Sequence, residues 1–198
     1  MNKIILASAS PRRKELLTQI GLSFEIITSD AEEITKSTLP QEMVEELSLL
    51  KAKDVWKKLP EKERAEKIVI GADTVVSCDG KVLGKPKNQQ HAFEMLSLLQ
   101  GREHYVYTGV TLLKTKAVGC RGDEAYECIT FHEATAVHVY PMSEEERWNY
   151  IASGEPMDKA GSYGIQGEFA AFIIGIEGDY FNVVVLPIGR VYQELKNF

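Results

Sequence analysis

Hydroxyl and guanidinium groups that suit an anion stand close together near the start of the chain. Ser8 and Ser10 precede a proline at position 11, and Arg12 and Arg13 follow it. Ser10 is a good N-cap and Pro11 suits the first helical position, so a helix is predicted to begin here. Cations oppose the helix dipole at this end unless an anion binds there. A phosphate site and two solvent-exposed arginines therefore both remain open as interpretations.

Carboxylates that could take a proton or hold a divalent cation follow in two places. Glu32 and Glu33 stand in an acidic loop. Asp73 follows the apolar run 68–72, at the predicted carboxyl end of a buried strand, where α/β proteins commonly place chemistry. Lys85 stands in a rigid loop beside a proline. Phosphate-binding cations combined with carboxylates for Mg²⁺ fit a phosphate-processing site, although each residue alone also fits an ordinary loop or ion-pair role.

A third group lies in the polar, glycine-rich segment 157–167, whose composition is typical of a binding loop. It contains Asp158, Lys159 and Gln166. The side-chain amide of Gln166 offers both a donor and an acceptor, which suits the edge of a nucleobase. The four histidines have no metal-ligand spacing, and each is interpreted as structural: His91, His104, His132 and His138.

The elements that must position these groups alternate between strand and helix. Strands are predicted at 3–7, 23–28, 68–72 with a continuation at 75–77, 81–83, 103–117, 127–140, 170–176 and 182–186. Helices are predicted at 11–20, 40–59, 89–99, 144–152 and from position 187 to 196, with a charged connector at 61–67. Asp79 and Gly80 predict a hairpin turn, and residues 119–124 a polar turn.

Composition bounds the class of protein. The chain has 198 residues with 23 basic and 29 acidic side chains, a formal net charge of -6, which makes a nucleic acid polymer an unlikely partner. An odd set of cysteines without CxxC spacing (Cys78, Cys120 and Cys128) favours a reducing compartment. No apolar run reaches membrane-span length and no signal peptide is recognisable, so a cytoplasmic protein with no membrane partner is predicted.

Six segments, in order along the chain, resemble motifs of the Maf family of nucleoside triphosphate pyrophosphatases, sometimes called septum formation proteins. They are SASPRR at 8–13, KA at 51–52, GADTVV at 71–76, GKP at 84–86, HYVYTGV at 104–110 and DKAGSYGIQG at 158–167. The resemblance implies an α/β fold like that of the inosine triphosphate pyrophosphatases (the Maf/Ham1 fold). That fold has a long mixed β-sheet flanked by helices, with a cleft between two lobes. It also implies one domain over residues 1–198 and a homodimer.

The implied reaction cleaves a nucleoside triphosphate between its α and β phosphates and yields the monophosphate and pyrophosphate. Water attacks, and a divalent metal cation, Mg²⁺ or Mn²⁺, assists. The resemblance makes Glu33 and Asp73 the catalytic and metal-binding carboxylates, with Asp73 preferred as the base. It assigns substrate binding to Ser8, Arg12, Arg13, Lys51, Lys85, Asp158, Lys159 and Gln166.

The loop that ends at residues 163–167 resembles the pyrimidine-preferring branch, which hydrolyses dTTP, UTP and modified uridine triphosphates in housekeeping of the nucleotide pool. Two alternatives are considered. One is a nucleotide-binding regulator of cell division in which hydrolysis is incidental, which the retention of both carboxylates disfavours. The other keeps the chemistry on inosine or xanthosine triphosphate, which Gln166 disfavours.

Overall fold

The computed structural model describes residues 3–116 and 125–198. The strands are β1 Lys3–Leu6, β2 Phe24–Ile26, β3 Lys67–Cys78, β4 Lys81–Leu83, β5 Glu103–Thr115, β6 Tyr126–Val139 and β7 Ile173–Glu177. The helices are α1 Pro11–Gln19, α2 Pro40–Lys58, α3 Glu61–Arg64, α4 Gln89–Leu99, α5 Glu144–Ala152, α6 Tyr180–Val184 and α7 Ile188–Asn197. The predicted polar turn at 119–124, with Cys120, lies outside the described residues.

The strands form one seven-stranded mixed sheet in the order β2-β1-β3-β5-β6-β7, with β4 paired to β3. β1 is parallel to both β2 and β3, whereas β4 is antiparallel to β3 and β7 is antiparallel to β6. Helices α1 and α2 supply the crossovers that parallel strands require. The predicted α/β class and mixed sheet are confirmed.

The chain divides into two compact units. The first comprises Met1–Asp73, Thr108–His132 and Val185–Phe198, and the second comprises Thr74–Tyr107 and Glu133–Val184. Strands β3, β5 and β6 each contribute residues to both units. Within the described ranges, no helix combines the length and the apolar character that crossing a bilayer requires.

Each unit has its own buried core. In the first unit, the apolar face of α2 packs with β1 and β3, and the cluster consists of Ile5, Ala7, Ala52, Val55, Trp56, Leu59, Val69 and Leu113. In the second unit, α4 and α5 pack on the sheet with two aromatic residues, Tyr163 in the glycine-rich segment and Phe169 just after it. The helical spacing of apolar residues that predicted α2 and α4 places apolar side chains on the face that each helix buries.

Strand β3 runs without a break from Lys67 to Cys78, so the prediction that it pauses at Asp73 is wrong. The apolar residues Val75 and Val76 continue the burial pattern, and β4 pairs with β3 from Val76 onward. Asp73 therefore projects from the middle of a strand. The turn between β3 and β4 is the predicted hairpin, with positive φ at Asp79 (49°) and Gly80 (75°).

The strand predicted at 182–186 is also wrong, because residues Tyr180–Val184 form helix α6. The run of β-branched residues there indicated a strand, but two side chains impose a turn of helix instead. Asp179 Oδ1 accepts from the backbone N–H of Phe181 (2.8 Å), and the buried amide of Asn182 donates to the carbonyl oxygen of Val106 (3.0 Å). The predicted strand 170–176 begins only at Ile173, after a 3-10 segment, Glu168–Phe172.

Candidate active site

The turn between β1 and α1 folds around the buried guanidinium of Arg13, which is 7% exposed. Its Nη1 donates to Ser8 Oγ (3.1 Å) and to the carbonyl oxygen of Ala72 (2.9 Å), and its Nε donates to the carbonyl oxygen of Val185 (3.2 Å). Ser10 is the predicted N-cap, since its Oγ accepts from the backbone N–H of Arg13 (3.4 Å). The interpretation that the Arg13 side chain points into solvent is therefore wrong.

The ammonium group of Lys51 lies between two carboxylates. Its Nζ is 2.6 Å from Asp73 Oδ1 and 2.8 Å from Glu33 Oε1. The side chains of Lys51 and Asp73 are 13% and 10% exposed, whereas that of Glu33 is 58% exposed, so only the first ion pair is largely desolvated. Charge alone does not distinguish Lys51 from the other lysines of α2; the family resemblance selects it, and its contacts with Asp73 and Glu33 set it apart in the structure.

Burial sets the acid–base character of the buried groups. Desolvation raises the pKa of the Asp73 carboxyl above its ordinary value, although Lys51 and Arg13 pull that pKa down. Desolvation likewise lowers the pKa of Arg13, partly offset by Asp73, and the guanidinium remains charged at neutral pH. A carboxylate with a raised pKa beside two cations can accept a proton next to a bound anion.

The first unit therefore brings together six of the predicted site residues. Five of them are linked by the contacts just described, and Arg13 and Asp73 also interact electrostatically. These five are Ser8, Arg13, Glu33, Lys51 and Asp73. Arg12 follows in the first turn of α1 and is half-buried. The combination of buried cations, hydroxyls and a carboxylate of raised pKa suits binding and hydrolysis of a phosphate ester or anhydride.

The remaining predicted residues lie in the second unit. Lys85 is exposed and makes no ion pair with a described residue, whereas Lys159 Nζ binds Asp158 Oδ1 (2.8 Å) and the carbonyl oxygen of Glu155 (2.5 Å). Gln166 is exposed on its loop. The loops of Lys85 and Gln166 are tied together, because the N–H of Gly161 donates to the carbonyl oxygen of Gly84 (3.0 Å).

Comparison with known proteins covers almost the whole chain. Residues 3–198 match the family model described as "Maf-like protein". The chain belongs to the Maf family. The resemblance found in the six short motifs is thereby confirmed over the full length.

Relatives of this Maf family member carry a common name. The "dTTP/UTP pyrophosphatase" of Lachnoclostridium phytofermentans is 50% identical over 198 residues, covering 100% of this chain and 96% of the relative. The "dTTP/UTP pyrophosphatase" of Agathobacter rectalis is 50% identical over 204 residues, covering 99% and 97%. That of Bacillus cereus (strain ZK / E33L) is 49% identical over 200 residues, covering 100% and 96%.

Two polar contacts of the second unit, one buried and one partly buried, were not predicted. His104 Nε2 and the hydroxyl of Tyr163 are 2.7 Å apart, and both residues are buried. The Tyr150 hydroxyl donates to Glu155 Oε1 (2.8 Å), and burial together with this bond raises the pKa of Tyr150. The capping box of α5 locates the start of that helix in the sequence, but nothing in the spacing indicates that Tyr150 and Glu155 pair.

A separate group of metal-ligating side chains also lies in this unit of the Maf-family chain. The donor atoms of Glu103, His138 and Glu177, on β5, β6 and β7, lie within 4.8 Å of one another. His138 Nε2 is itself 3.0 Å from Glu177 Oε1 and 3.6 Å from Glu103 Oε2. His138 Nε2 therefore already has a hydrogen-bond partner in Glu177, with Glu103 beside it, and this contact accounts for the arrangement.

Proposed function

We propose that this protein hydrolyses dTTP, UTP and modified uridine triphosphates to the monophosphate and pyrophosphate, as housekeeping of the nucleotide pool. The observation that carries the proposal is the buried Asp73–Lys51 pair beside the Arg13 guanidinium, in a chain whose full-length relatives are named dTTP/UTP pyrophosphatases. The whole chain is proposed to act as one pyrophosphatase domain. A homodimer remains a prediction from the family resemblance, and a cytoplasmic location remains a prediction from the composition.

Phosphate binding is assigned to the cations and hydroxyls. Ser8, Arg12 and Arg13 at the start of α1 present hydroxyl and guanidinium groups, and Lys51 can turn from its carboxylates toward a phosphate oxygen. Charge-assisted bonds from buried guanidinium groups are strong and gain strength as negative charge develops in the transition state. Lys85, Asp158 and Lys159 are also proposed to contact the triphosphate, and Gln166 to contact the base.

Proton transfer is assigned to Asp73. Water attacks the α phosphorus, its proton passes to an Asp73 carboxylate oxygen, and the bond between the bridging oxygen and the α phosphorus breaks. Pyrophosphate then leaves with the electron pair of that bond. The raised pKa of Asp73 makes the carboxylate a better base than an ordinary aspartate. Glu33, whose side chain is 58% exposed, is the alternative base.

The donor set fits a divalent cation. Glu33 and Asp73 offer only carboxylate oxygens, the ligands that Mg²⁺ and Mn²⁺ prefer, and both already contact one positive group, Lys51 Nζ. These two carboxylates would hold the cation together with phosphate oxygens of the substrate. When bound, the cation would neutralise negative charge on those phosphate oxygens.

Product analysis tests the proposal. The protein is incubated with dTTP, UTP, CTP, ITP and 7-methyl-GTP, with and without Mg²⁺, and monophosphate, pyrophosphate and phosphate are quantified. Asp73→Asn removes the base, and Asp79→Asn makes the same change in a hairpin turn that accepts Asn equally well. We expect monophosphate and pyrophosphate from dTTP and UTP, lost in Asp73→Asn and retained in Asp79→Asn.

Other outcomes point elsewhere. Turnover of ITP without dTTP or UTP would move the substrate to purine nucleotides. Tight binding of dTTP without any turnover would replace the enzyme by a nucleotide-binding regulator of cell division. Release of phosphate in place of pyrophosphate would contradict cleavage at the α phosphorus.

A further inference from the structure

One backbone N–H group on each side of Gln166 is hydrogen-bonded, directly or through a tyrosine hydroxyl, to the carboxylate of Glu155. The N–H of Glu168 donates directly to Glu155 Oε2 (3.0 Å). The N–H of Gly164 donates to the Tyr150 hydroxyl (3.2 Å), and this hydroxyl donates to Glu155 Oε1 (2.8 Å). Both oxygens of one carboxylate thus fix the two ends of segment 164–168.

Glycine at two positions lets Glu155 and Lys159 approach this segment. A Cβ at Gly167 would lie 2.2 Å from either carboxylate oxygen of Glu155, and a Cβ at Gly164 would lie 2.7 Å from Lys159 Cε. Lys159 is itself bound to the carbonyl oxygen of Glu155. The glycines therefore serve a close side-chain approach rather than chain flexibility.

The part of the loop before Gly164 is anchored independently. Tyr163 contacts His104, Ser162 Oγ is 3.1 Å from Met95 Sδ, and both residues are buried. By contrast, Gln166 is exposed and Ile165 is half-buried. Among these contacts, the Tyr150–Glu155 pair is the one that reaches both sides of Gln166.

We propose that Tyr150 and Glu155 are positioning residues that hold segment 164–168 in the shape that presents Gln166 to the nucleobase, and so set base selectivity. The inference rests on the proposed function, since it assigns Gln166 a base to read. Neither residue touches the phosphates in this role. Their loss should raise KM for dTTP and weaken discrimination against other bases, while kcat for bound dTTP changes little.

The first test removes one oxygen atom. Tyr150→Phe keeps the ring and deletes both hydrogen bonds of the hydroxyl, and Tyr140→Phe makes the same change on a tyrosine that is 51% exposed. We expect KM for dTTP to rise about tenfold and the ratio of kcat/KM for dTTP over CTP to fall similarly in Tyr150→Phe, as loss of a buried hydrogen bond predicts. Tyr140→Phe should match the unmodified protein. Unchanged KM and selectivity in Tyr150→Phe would overturn the proposal.

A second variant guards against misfolding of the first. Glu155→Met keeps the length of the side chain but removes both acceptor oxygens, so the hydrogen bonds from Tyr150 and from the N–H of Glu168 are both lost. We expect the same change in KM and selectivity as in Tyr150→Phe. Opposite effects of the two variants on selectivity would contradict a shared role.

A double-mutant cycle separates positioning from stability. If Tyr150 acts through Gln166, Tyr150→Phe should cause little further loss of selectivity in a Gln166→Ala background. Additive losses would show that the pair acts by another route. This comparison has a readout that a merely structural role would not move.

Amide hydrogen exchange keeps the inference distinct from the proposed function. The amides of Gly164 and Glu168 should exchange faster in Tyr150→Phe than in Tyr140→Phe, with or without activity. If the unmodified protein failed to hydrolyse dTTP, the proposed function would fail and, with it, the base-reading role. Normal hydrolysis with unchanged exchange in Tyr150→Phe would overturn only the inference.

Discussion

At the scale of single residues, Lys51 is the side chain on which the candidate site depends. Its ammonium contacts a buried carboxylate, Asp73, and an exposed one, Glu33. Loss of the contact with Asp73 would leave a desolvated charge without its partner. The contact with Glu33 contributes little to stability because it is exposed. Lys51 therefore stabilises the ionised form of Asp73 in this desolvated position.

Lys51→Met should destabilise the protein by about 3 kcal/mol, because it leaves the Asp73 carboxylate desolvated without its nearest cation. Asp73→Asn alone should cost less at neutral pH, since Lys51 keeps its contact with Glu33 and the raised pKa of Asp73 means that folding disfavours the ionised form. Adding Asp73→Asn to Lys51→Met should restore most of the loss. Urea unfolding of the four proteins measures this cycle.

The matched control is Lys58→Met on the same helix. Lys58 pairs with Asp30, whose side chain is 84% exposed, and with Asp54, and its own side chain is more exposed than that of Lys51, so its loss should cost clearly less stability than that of Lys51. Equal destabilisation by Lys51→Met and Lys58→Met would contradict the importance of burial at Lys51.

His104 gives the stability a defined pH dependence. Burial lowers the pKa of His104 from 6.5 to about 4. Below pH 6.5 the unfolded chain binds a proton that the folded chain does not, so the stability due to neutral His104 is complete above pH 6.5. It falls by up to about 1.4 kcal/mol per pH unit as the pH drops toward 4.

His104→Gln should remove this slope. The free energy of unfolding, measured in urea between pH 4 and 7.5, should fall less steeply in the variant than in the unmodified protein. His91→Gln makes the same substitution at a half-exposed histidine in the first turn of α4 and serves as the matched control. Parallel curves for His104→Gln and the unmodified protein would show that His104 is not held neutral.

At the scale of elements, α2 carries Lys51 and lies very close to the sheet. A Cβ at Gly71 of β3 would lie 2.2 Å from the carbonyl oxygen of Ser48, and a Cβ at Gly109 of β5 would lie 2.2 Å from that of Val44. Both oxygens belong to the backbone of α2. The two glycines therefore allow the helix backbone to approach the strands, and this approach brings Lys51 to Asp73.

Gly109→Ala should push α2 away from β5. We expect a loss of about 1–3 kcal/mol in the free energy of unfolding and a fall in activity, because Lys51 moves with the helix. Gly189→Ala in α7 adds the same methyl group where nothing lies within 4 Å, so it should cause no loss. Full stability and activity in Gly109→Ala would contradict the close approach.

The sequence predicted the bounds of helices better than it predicted contacts between side chains. The bounds of α2 and α4 agree with the prediction within one residue, because apolar periodicity and terminal signals are local. Helix α6 was missed because the buried amide of Asn182 outweighs the strand preference of its neighbours. The Lys51–Asp73 and Tyr150–Glu155 pairs could not be predicted, since the first joins distant elements and the second depends on the path of a loop.

At the scale of the whole molecule, the two units are interleaved along the chain. Strands β3, β5 and β6 each supply residues to both, so neither unit is a continuous segment that could be excised. When such a strand unfolds in one unit, the remainder of the same strand, in the other unit, also loses hydrogen-bonded neighbours. We therefore predict that the chain unfolds as one cooperative domain.

The two tryptophans report on the units separately. Trp56 lies in the core of the first unit, 5.4 Å from the ring of Tyr126, and Trp148 stacks on Phe93 at 4.6 Å in the second. In Trp148→Phe the fluorescence comes from Trp56 alone, and in Trp56→Phe it comes from Trp148 alone. In each variant the fluorescence should show the same urea midpoint as far-UV circular dichroism, which reports on all helices and strands. Comparing two probes within one variant removes the effect of the substitution on stability. A fluorescence midpoint that precedes the circular dichroism midpoint in either variant would show that the units unfold independently, contrary to a single domain.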